Sequence, residues 1–211
     1  GGASFPAEAT GGDYYDYLPM ADHHLGIVLG DVSGHGIGPA LLMSQTRAFL
    51  HALVPSLGDA SDLVSRLNTF LTNGVNADHF VTLFLAQIDP RDRTFFYAGA
   101  GHNGFLFESD GTVHHLEATG FPLGGADEPV PNALPRSYAP GQILALLTDG
   151  IYETESRDEV AFGVARALEF IWTNRDLSAE AIVNGLYRAV TDYAQGLPQQ
   201  DDITVVIVKF E

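Results

Sequence analysis

Three short runs of apolar residues along the chain each lie beside an aspartate. They cover residues 25–30 before Asp31, residues 143–147 before Asp149, and residues 203–208 after Asp201 and Asp202. Runs of this length that are rich in β-branched residues and bounded by glycine or aspartate predict buried β-strands. We therefore expect three strands that bring acidic side chains to their ends.

Other predicted strands are joined in pairs by tight turns: residues 80–88 with 94–98, and residues 105–107 with 112–116. The connecting segments contain Asp89-Pro90 and Asp110-Gly111, and these residue types are favoured in turns. Each pair is therefore expected to form an antiparallel hairpin. A glycine- and proline-rich stretch over residues 120–141 predicts a loop.

Four segments with the apolar spacing of amphipathic helices are predicted to be helical: about residues 39–54, 60–75, 160–173 and 179–195. Asp59 or Ser61 is a suitable N-cap for the second helix, and Ser178 for the fourth. The helices come in pairs and do not alternate with strands. This order indicates an α+β fold with separate helix and sheet layers, and not a doubly wound parallel sheet.

The charge of the chain excludes several classes of partner. Its 211 residues include 27 acidic and 10 basic side chains, for a formal net charge of −17. A nucleic-acid partner requires a cationic surface, which this composition does not supply, and an anionic membrane surface is disfavoured for the same reason. A phosphorylated substrate would also be repelled, unless bound cations reverse the local field.

The absence of cysteine limits the kinds of metal site that the chain can form. It excludes thiolate ligands and disulfides, so a metal would be held by oxygen or imidazole ligands. We see neither a signal peptide nor an apolar stretch long enough to span a membrane, and we expect a cytoplasmic protein. Residues 1–211 are expected to form a single domain cut from a longer regulator, because the sequence opens abruptly at Gly1.

Four aspartates far apart in sequence are candidates for one metal site: Asp13, Asp31, Asp149 and Asp201. Carboxylates that converge repel one another, and a divalent cation such as Mg²⁺ or Mn²⁺ removes that cost. Each position also has an ordinary explanation. Asp149 could belong to an Asp-Gly turn, Asp31 could cap the following helix, and Asp201 could lie in a solvated loop.

Five short motifs, in this order and at these separations, strengthen the case: residues 11–16 (GGDYYD), 31–36 (DVSGHG), 100–103 (AGHN), 148–153 (TDGIYE) and 201–204 (DDIT). Together they resemble the bacterial PPM/PP2C-type serine/threonine phosphatases of the stage II sporulation protein E and sigma-factor-regulator class. The resemblance extends from about residue 5 to residue 209.

This resemblance implies an α-β-β-α sandwich of two antiparallel sheets flanked by helix pairs. It also implies a centre of two Mn²⁺ or Mg²⁺ ions, in which Asp31 bridges both ions. By motif position, Asp13 would hold one ion, and Asp149 with Asp201 would hold the other. The carbonyl of Val32 would be a further ligand.

The activity implied by the resemblance is hydrolysis of phosphoserine or phosphothreonine by a water that the metals activate, without a protein nucleophile. The expected substrate is a phosphorylated anti-sigma-factor antagonist of the STAS type. Relatives of this class usually carry an upstream sensory or receiver domain, and they can form homodimers.

Several positions near these motifs are possible accessory residues: Gly12, His35, His102, Asn103 and Asp202. The eukaryotic branch has a histidine two residues after the bridging aspartate, proposed as general acid, but position 33 is serine here. We expect His35 to tie the glycine-rich loop to the first helix, and His102 to be architectural.

Two further pairs of histidines, His23-His24 and His114-His115, are adjacent in sequence. Their side chains would point to opposite faces of a strand, which disfavours a shared metal.

Two other functions remain possible from the sequence. The first is a pseudo-phosphatase that binds a phosphoprotein or partner without turnover, although all four aspartates are present. The second is an acidic calcium-binding module, which ranks last because the spacing of an EF-hand loop is absent.

Overall fold

The computed structural model describes residues 1–56, 58–74 and 79–211. Within these ranges the chain forms ten strands arranged in two five-stranded sheets, and every strand pair is antiparallel. The first sheet has the order β1-β10-β9-β6-β7, with bounds Gly2–Phe5 (β1), Ile203–Lys209 (β10), Ile143–Leu147 (β9), Gly104–Phe107 (β6) and Val113–Leu116 (β7).

The second sheet has the order β2-β3-β4-β5-β8. Its strands are Tyr14–Pro19 (β2), Leu25–Val32 (β3), Val81–Asp89 (β4), Thr94–Ala100 (β5) and Arg136–Ser137 (β8). The helices in the described ranges are Ile37–Leu53 (α1), Ala60–Gly74 (α2), Asp149–Tyr152 (α3), Val164–Thr173 (α4) and Ala179–Tyr193 (α5). None of them is long and apolar enough to cross a membrane.

Three apolar cores hold four layers together. The first core fills the space between α1, α2 and the second sheet, and includes Val28 and Leu67. The second lies between the first sheet and the pair α4 and α5, and includes Val205. The third joins the two sheets face to face, and includes Leu29 and Leu144. The predicted α-β-β-α sandwich is therefore confirmed.

Alternation along each central strand decides which side chains enter the space between the sheets. In β3, Ile27 and Leu29 belong to the core between the sheets, whereas Val28 faces the helices. Because successive side chains of a strand point to opposite faces, Asp31 continues the row of Ile27 and Leu29. Similarly, Thr204 in β10 continues the row that includes Val206. Polar residues thus enter the sandwich interior at one end.

The structure corrects several boundaries predicted from the sequence. Asp31 lies within β3, not after it, and α4 begins at Val164 and not near residue 160. Strands β1 and β2 were not predicted, because their polar and tyrosine-rich sequences lack a strong apolar pattern, and the two-residue strand β8 lies within the stretch that was predicted to be a loop. Residue 75, the predicted end of the second helix, lies outside the described residues.

Side-chain caps fix the starts of two helices. The Asp59 carboxylate accepts hydrogen bonds from the backbone N–H groups of Ser61 (2.8 Å) and Asp62 (3.3 Å), so Asp59 caps α2. Ser178 Oγ accepts a hydrogen bond from the Ala181 N–H at 3.2 Å, which confirms Ser178 as the N-cap of α5. Each cap satisfies donors that the helix itself leaves unpaired.

We predict that Leu144→Ala lowers the free energy of unfolding by about 2–5 kcal/mol, the usual cost of a cavity in a close-packed core. Leu144 is fully buried between the sheets. The control is Leu134→Ala, because Leu134 is 86% exposed and its truncation should cost less than about 0.5 kcal/mol. Chemical denaturation monitored by circular dichroism measures both; equal effects would contradict the assignment of this core.

Candidate metal centre and active site

The four predicted aspartates lie within or beside the ends of four separate elements, on the same side of the sandwich. Asp13 directly precedes β2, Asp31 is the penultimate residue of β3, Asp149 opens α3 after β9, and Asp201 lies two residues before β10. Strand ends are rigid positions from which side chains can converge on one cleft. The structure therefore brings together residues separated by up to 188 positions in sequence.

Mutual repulsion among these aspartates is visible in their pKa values. Burial, and then the negative charges of Asp149, Asp201 and Asp202, raise the pKa of Asp31 to about 7. Burial also raises the pKa of Asp13 to about 8, and the Asp31 charge adds to this effect. Several carboxylates in one partly buried site disfavour each other's ionised form.

The remaining two aspartates behave in the same way. Burial, followed by the charge of Glu153, raises the pKa of Asp149. Burial also raises the pKa of Asp201, to which the charge of Asp149 contributes. All four carboxyl groups are thus held in an environment that resists their negative charge.

A chain of hydrogen bonds orients the Asp13 carboxylate. The Thr204 N–H donates to Thr148 Oγ1 at 2.9 Å, and the Thr148 hydroxyl donates to Asp13 Oδ2 at 2.9 Å. Thr148 is fully buried immediately before Asp149. It therefore links the strand ends of β9 and β10 to the segment that carries Asp13, a role that sequence reasoning missed.

Asp202 anchors the loop that leads to Asp13. Its carboxylate accepts hydrogen bonds from the N–H groups of Ala7 (2.8 Å), Gly12 (2.6 Å) and Asp13 (3.4 Å). A Cβ atom at Gly11 would lie only 2.4 Å from Asp202 Oδ2, so the close contact requires glycine. Asp202 is buried and its oxygens are already occupied, whereas its neighbour Asp201 is exposed.

The carbonyl of Val32, a predicted ligand, lies against Gly12. The Val32 N–H donates to Gly12 O at 3.3 Å, and a Cβ at Gly12 would approach Val32 O to 2.9 Å. Glycine therefore permits the loop before Asp13 to pass directly beside the end of β3, where Asp31 is located. This contact draws the two aspartates together.

His102 joins the two sheets beside the site. Its Nε2 lies 3.2 Å from Leu147 O in β9, and its Nδ1 lies 2.9 Å from Thr82 Oγ1 in β4. Because a carbonyl can only accept, Nε2 carries the proton and Nδ1 accepts from the Thr82 hydroxyl. Thr82 pairs with Asp31 across β3 and β4. His102 is thus architectural, at the base of the site.

The expected role of His35 is corrected by the structure. Its ring does not tie the glycine-rich loop to α1; Nδ1 lies 3.2 Å from Glu8 Oε1, and the side chain is 77% exposed. Glycine residues before α1 leave His35 projecting into solvent. The Asn103 side chain, another accessory candidate, accepts a hydrogen bond from the Ala118 N–H at 2.8 Å.

His23 ends a short 3₁₀ helix over residues 21–23 and His24 follows it, so this pair does not lie in a strand, whereas His114 and His115 lie in β7. His24 contacts Asp89 at 3.1 Å and Gln87 at 2.7 Å, away from the four aspartates. His114 pairs with Glu108 at 3.2 Å. His115, in contrast, enters the wall of the cleft at the candidate site.

This cleft has a volume of about 390 Å³ and contains two of the four aspartates. Its lining residues are Asp31, Thr82, Gly101, His102, Asn103, Phe105, His115, Leu147, Asp149, Tyr152 and Val164. A larger cavity of about 650 Å³ includes only Asp201 of the four. The smaller cleft is therefore the candidate site, and neither lysine nor arginine is among its lining residues.

The donor set fits hard divalent cations in chemistry. Carboxylate and carbonyl oxygens are the ligands that Mg²⁺ and Mn²⁺ prefer, and a cation would offset the burial and the neighbouring charges that raise the pKa values of the aspartates. Across the described ranges, no three histidine, aspartate or glutamate side chains stand close enough to share an ion as they are placed. The fit therefore rests on donor chemistry and charge, and not on a preformed cage.

Comparison with known proteins assigns the chain to a family. Residues 21–211 match the family described as Stage II sporulation protein E. The chain belongs to this family. Phosphatases of the PP2C type, to which its members are related, depend on metal ions.

One protein that is similar to this chain is the phosphoserine phosphatase RsbU of Bacillus subtilis (strain 168). The two are 30% identical over 212 residues, which cover 99% of this chain and 62% of RsbU. The chain therefore spans less than two thirds of the length of this relative.

Solved structures agree with the family assignment at the level of the fold. The SiaA-PP2C domain of Pseudomonas aeruginosa superposes with a TM-score of 0.88 at 23% identity, covering 100% of this chain and 86% of that one. The PP2C phosphatase domain and regulatory fragment of SpoIIE from Bacillus subtilis give a TM-score of 0.83 at 21% identity, covering 100% of this chain and 62% of that one. The family member thus has the PP2C-type fold.

We predict that Asp31→Asn stabilises the protein in the presence of EDTA at pH 8. In the folded state the pKa of Asp31 is raised to about 7, so the folded protein holds a proton on Asp31 more tightly than the unfolded chain does. The stability that this proton contributes is lost as pH rises from about 4 to 7. Asparagine carries no charge to desolvate. The gain should be at least about 1 kcal/mol at pH 8 and should vanish near pH 4.

Thermal unfolding across this pH range measures the effect, with Asp176→Asn as the control because Asp176 is exposed. Adding Mn²⁺ should reverse the sign, since an ion that binds only the folded state stabilises the parent. A variant that is less stable than the parent in EDTA at pH 8 would contradict the account.

We also predict that His102→Gln weakens the dependence of stability on pH between about 4 and 6.5. Burial lowers the pKa of His102 to about 4, partly offset by its hydrogen bond to Leu147, whereas the unfolded chain titrates near 6.5. The neutral His102 ring thus contributes its full amount to the free energy of unfolding above about pH 6.5. This contribution, up to about 3 kcal/mol, is lost as pH falls. Urea unfolding at several pH values tests this; identical pH slopes for parent and variant would contradict it.

Proposed function

We propose that the chain is a metal-dependent protein serine/threonine phosphatase that hydrolyses phosphoserine or phosphothreonine. The observation that carries the proposal is the convergence of Asp13, Asp31, Asp149 and Asp201 at one end of a PP2C-type sandwich, with pKa values raised by burial and by neighbouring negative charges. Such a site favours cations, and cations would allow an acidic protein to accept a phosphorylated substrate.

Two Mn²⁺ or Mg²⁺ ions are proposed as the cofactors. Asp31 would contact both ions, Asp13 would serve one, and Asp149 with Asp201 would serve the other, with the Val32 carbonyl as an added ligand. When bound, such ions supply activation of water for attack on phosphorus and neutralisation of charge on the phosphoryl oxygens.

The choice of Asp201 over Asp202 is supported by hydrogen bonding. Three backbone N–H groups already occupy the carboxylate of Asp202, so moving it onto a cation would release the loop before Asp13. Among the described residues, the Asp201 carboxylate accepts only the local N–H of Asp202, at 2.8 Å, and the residue is exposed to solvent. Asp202 therefore acts by holding Asp13 in position.

The rest of the chain fixes the geometry of the aspartates. Thr148 orients Asp13 through its hydroxyl, and His102 with Thr82 supports the strand beside Asp31. A catalytic group is most effective when its neighbours hold it in position before the substrate binds, because no free energy is then spent on positioning it during the reaction.

We further propose that the substrate is a phosphorylated STAS-type anti-sigma-factor antagonist. The support is family membership and the similarity to RsbU, whose name is phosphoserine phosphatase. In the full-length protein, residues 1–211 would form a single catalytic domain controlled by a sensory or receiver domain, with a homodimer as one arrangement. A pseudo-phosphatase that binds phosphoprotein without turnover is the alternative.

The test is Mn²⁺-dependent hydrolysis of p-nitrophenyl phosphate and of a phosphoserine peptide. The parent should be active with Mn²⁺ and inactive with EDTA, and Asp31→Asn should lose at least about 100-fold in kcat/KM, since even indirect neighbours of metal ligands cost 10–100-fold. Asp176→Asn removes the same charge from an exposed position and should retain parental activity.

Two outcomes would count against the proposal. If the parent binds Mn²⁺ but hydrolyses neither substrate, the chain is a pseudo-phosphatase. If Asp31→Asn is as active as the parent, the assignment of the site is wrong.

A further inference from the structure

When a serine phosphate ester is cleaved, the departing serine oxygen must take up a proton. The departing serine oxygen is a poor leaving group as an alkoxide, and a positioned acid that protonates it accelerates such reactions. The candidates for this acid are the titratable side chains that line the 390 Å³ cleft.

Two titratable groups lining this cleft, besides the aspartates, are unsuitable as the acid. His102 has both ring nitrogens engaged by Thr82 and Leu147, and burial keeps it neutral at physiological pH. For Tyr152, burial and then the charge of Asp149 raise the pKa to about 12, so its hydroxyl is a weak acid.

His115 has the properties that those two groups lack. It lies in β7, it is exposed, and it lines the same cleft as Asp31 and Asp149. The edge of its ring packs against Phe105, with centroids 5.0 Å apart and planes at 80°. Within the described residues its ring nitrogens make neither a hydrogen bond nor an ion pair, so both are available to a substrate.

The neighbouring histidine provides an internal comparison. His114 points to the opposite face of β7, where its ring pairs with Glu108 at 3.2 Å. It does not line the cleft. Two adjacent residues of the same type are thus separated by the strand into one that faces the cleft and one that faces away from it.

We propose that His115 is the general acid that protonates the leaving serine or threonine oxygen; this assignment rests on the proposed phosphatase function. The oxygen of the attacking water forms a bond to phosphorus while the phosphorus–ester oxygen bond breaks. The electron pair of that bond remains on the ester oxygen, which takes a proton from a ring nitrogen of His115. The attacking water releases a proton to solvent, and the His115 ring regains one from solvent.

The test compares substrates that differ in their need for an acid. Phenyl phosphate and p-nitrophenyl phosphate have nearly the same shape, but p-nitrophenolate leaves readily without protonation, and a phosphoserine peptide has the greatest need. His115→Gln should lower kcat about 100-fold for the phosphoserine peptide, the usual range for a lost general acid. The loss should be smaller for phenyl phosphate and less than about threefold for p-nitrophenyl phosphate.

The matched control is His114→Gln, which removes a histidine from the other face of the same strand. It should show the parental dependence on leaving group for all three substrates. A merely structural effect of His115→Gln would lower all three rates by the same factor. If the parent is active and the variant shows this uniform loss, the assignment of His115 is overturned and the proposed phosphatase function is not.

A second readout does not depend on turnover. In protein labelled with ¹³C-histidine and loaded with Mg²⁺, addition of inorganic phosphate should shift the ring signals of His115 and leave those of His114 unchanged. An unshifted His115 signal in an active parent would also overturn the proposal. If the parent hydrolyses none of the substrates, the proposed function fails and this assignment fails with it.

Discussion

Repulsion between carboxylates is the constraint on which the site depends. Asp13, Asp31, Asp149 and Asp201 are carried by four different elements, and folding brings them to one end of the sandwich with neither lysine nor arginine in the wall of the cleft. Burial and mutual charge both disfavour their ionised forms. A folded chain can hold such a cluster only because the surrounding cores supply the free energy that the cluster costs.

The architecture explains how that cost is borne. Three separate cores stabilise the layers, and the one between the sheets consists of large buried side chains such as Phe84, Leu29 and Leu144. Asp31 and Thr204 bring polar groups to this space near the ends of β3 and β10. There, His102 and Thr148 connect the sheets by hydrogen bonds, so the polar end of the interior is ordered and the aspartates are fixed.

The sequence alone predicted the layers, and it named four aspartates that the structure places at one end of the sandwich. Apolar runs beside Asp31, Asp149 and Asp201 locate these positions because strand ends are encoded locally. Strands β1 and β2 were not foreseen, since the register of an edge strand depends on its partners and its own sequence need not be strongly apolar.

The supporting residues could not be predicted for a different reason. The bonds from Thr148 to Asp13 and from the loop before Asp13 to Asp202 join residues more than 130 positions apart. No local pattern records such contacts. His115 was set aside because adjacent histidines point to opposite faces, yet that same alternation is what brings one of the two into the cleft.

The most direct test of the central claim is a calorimetric titration of the metal-free protein with MnCl₂. We predict saturable binding of two Mn²⁺ ions per chain at neutral pH, with proton release as the carboxyl groups of raised pKa ionise. Asp31→Asn should abolish the binding of at least one ion. Failure of the parent to bind Mn²⁺ saturably, or unchanged binding by Asp31→Asn, would contradict the convergence of the four aspartates on a shared cation site.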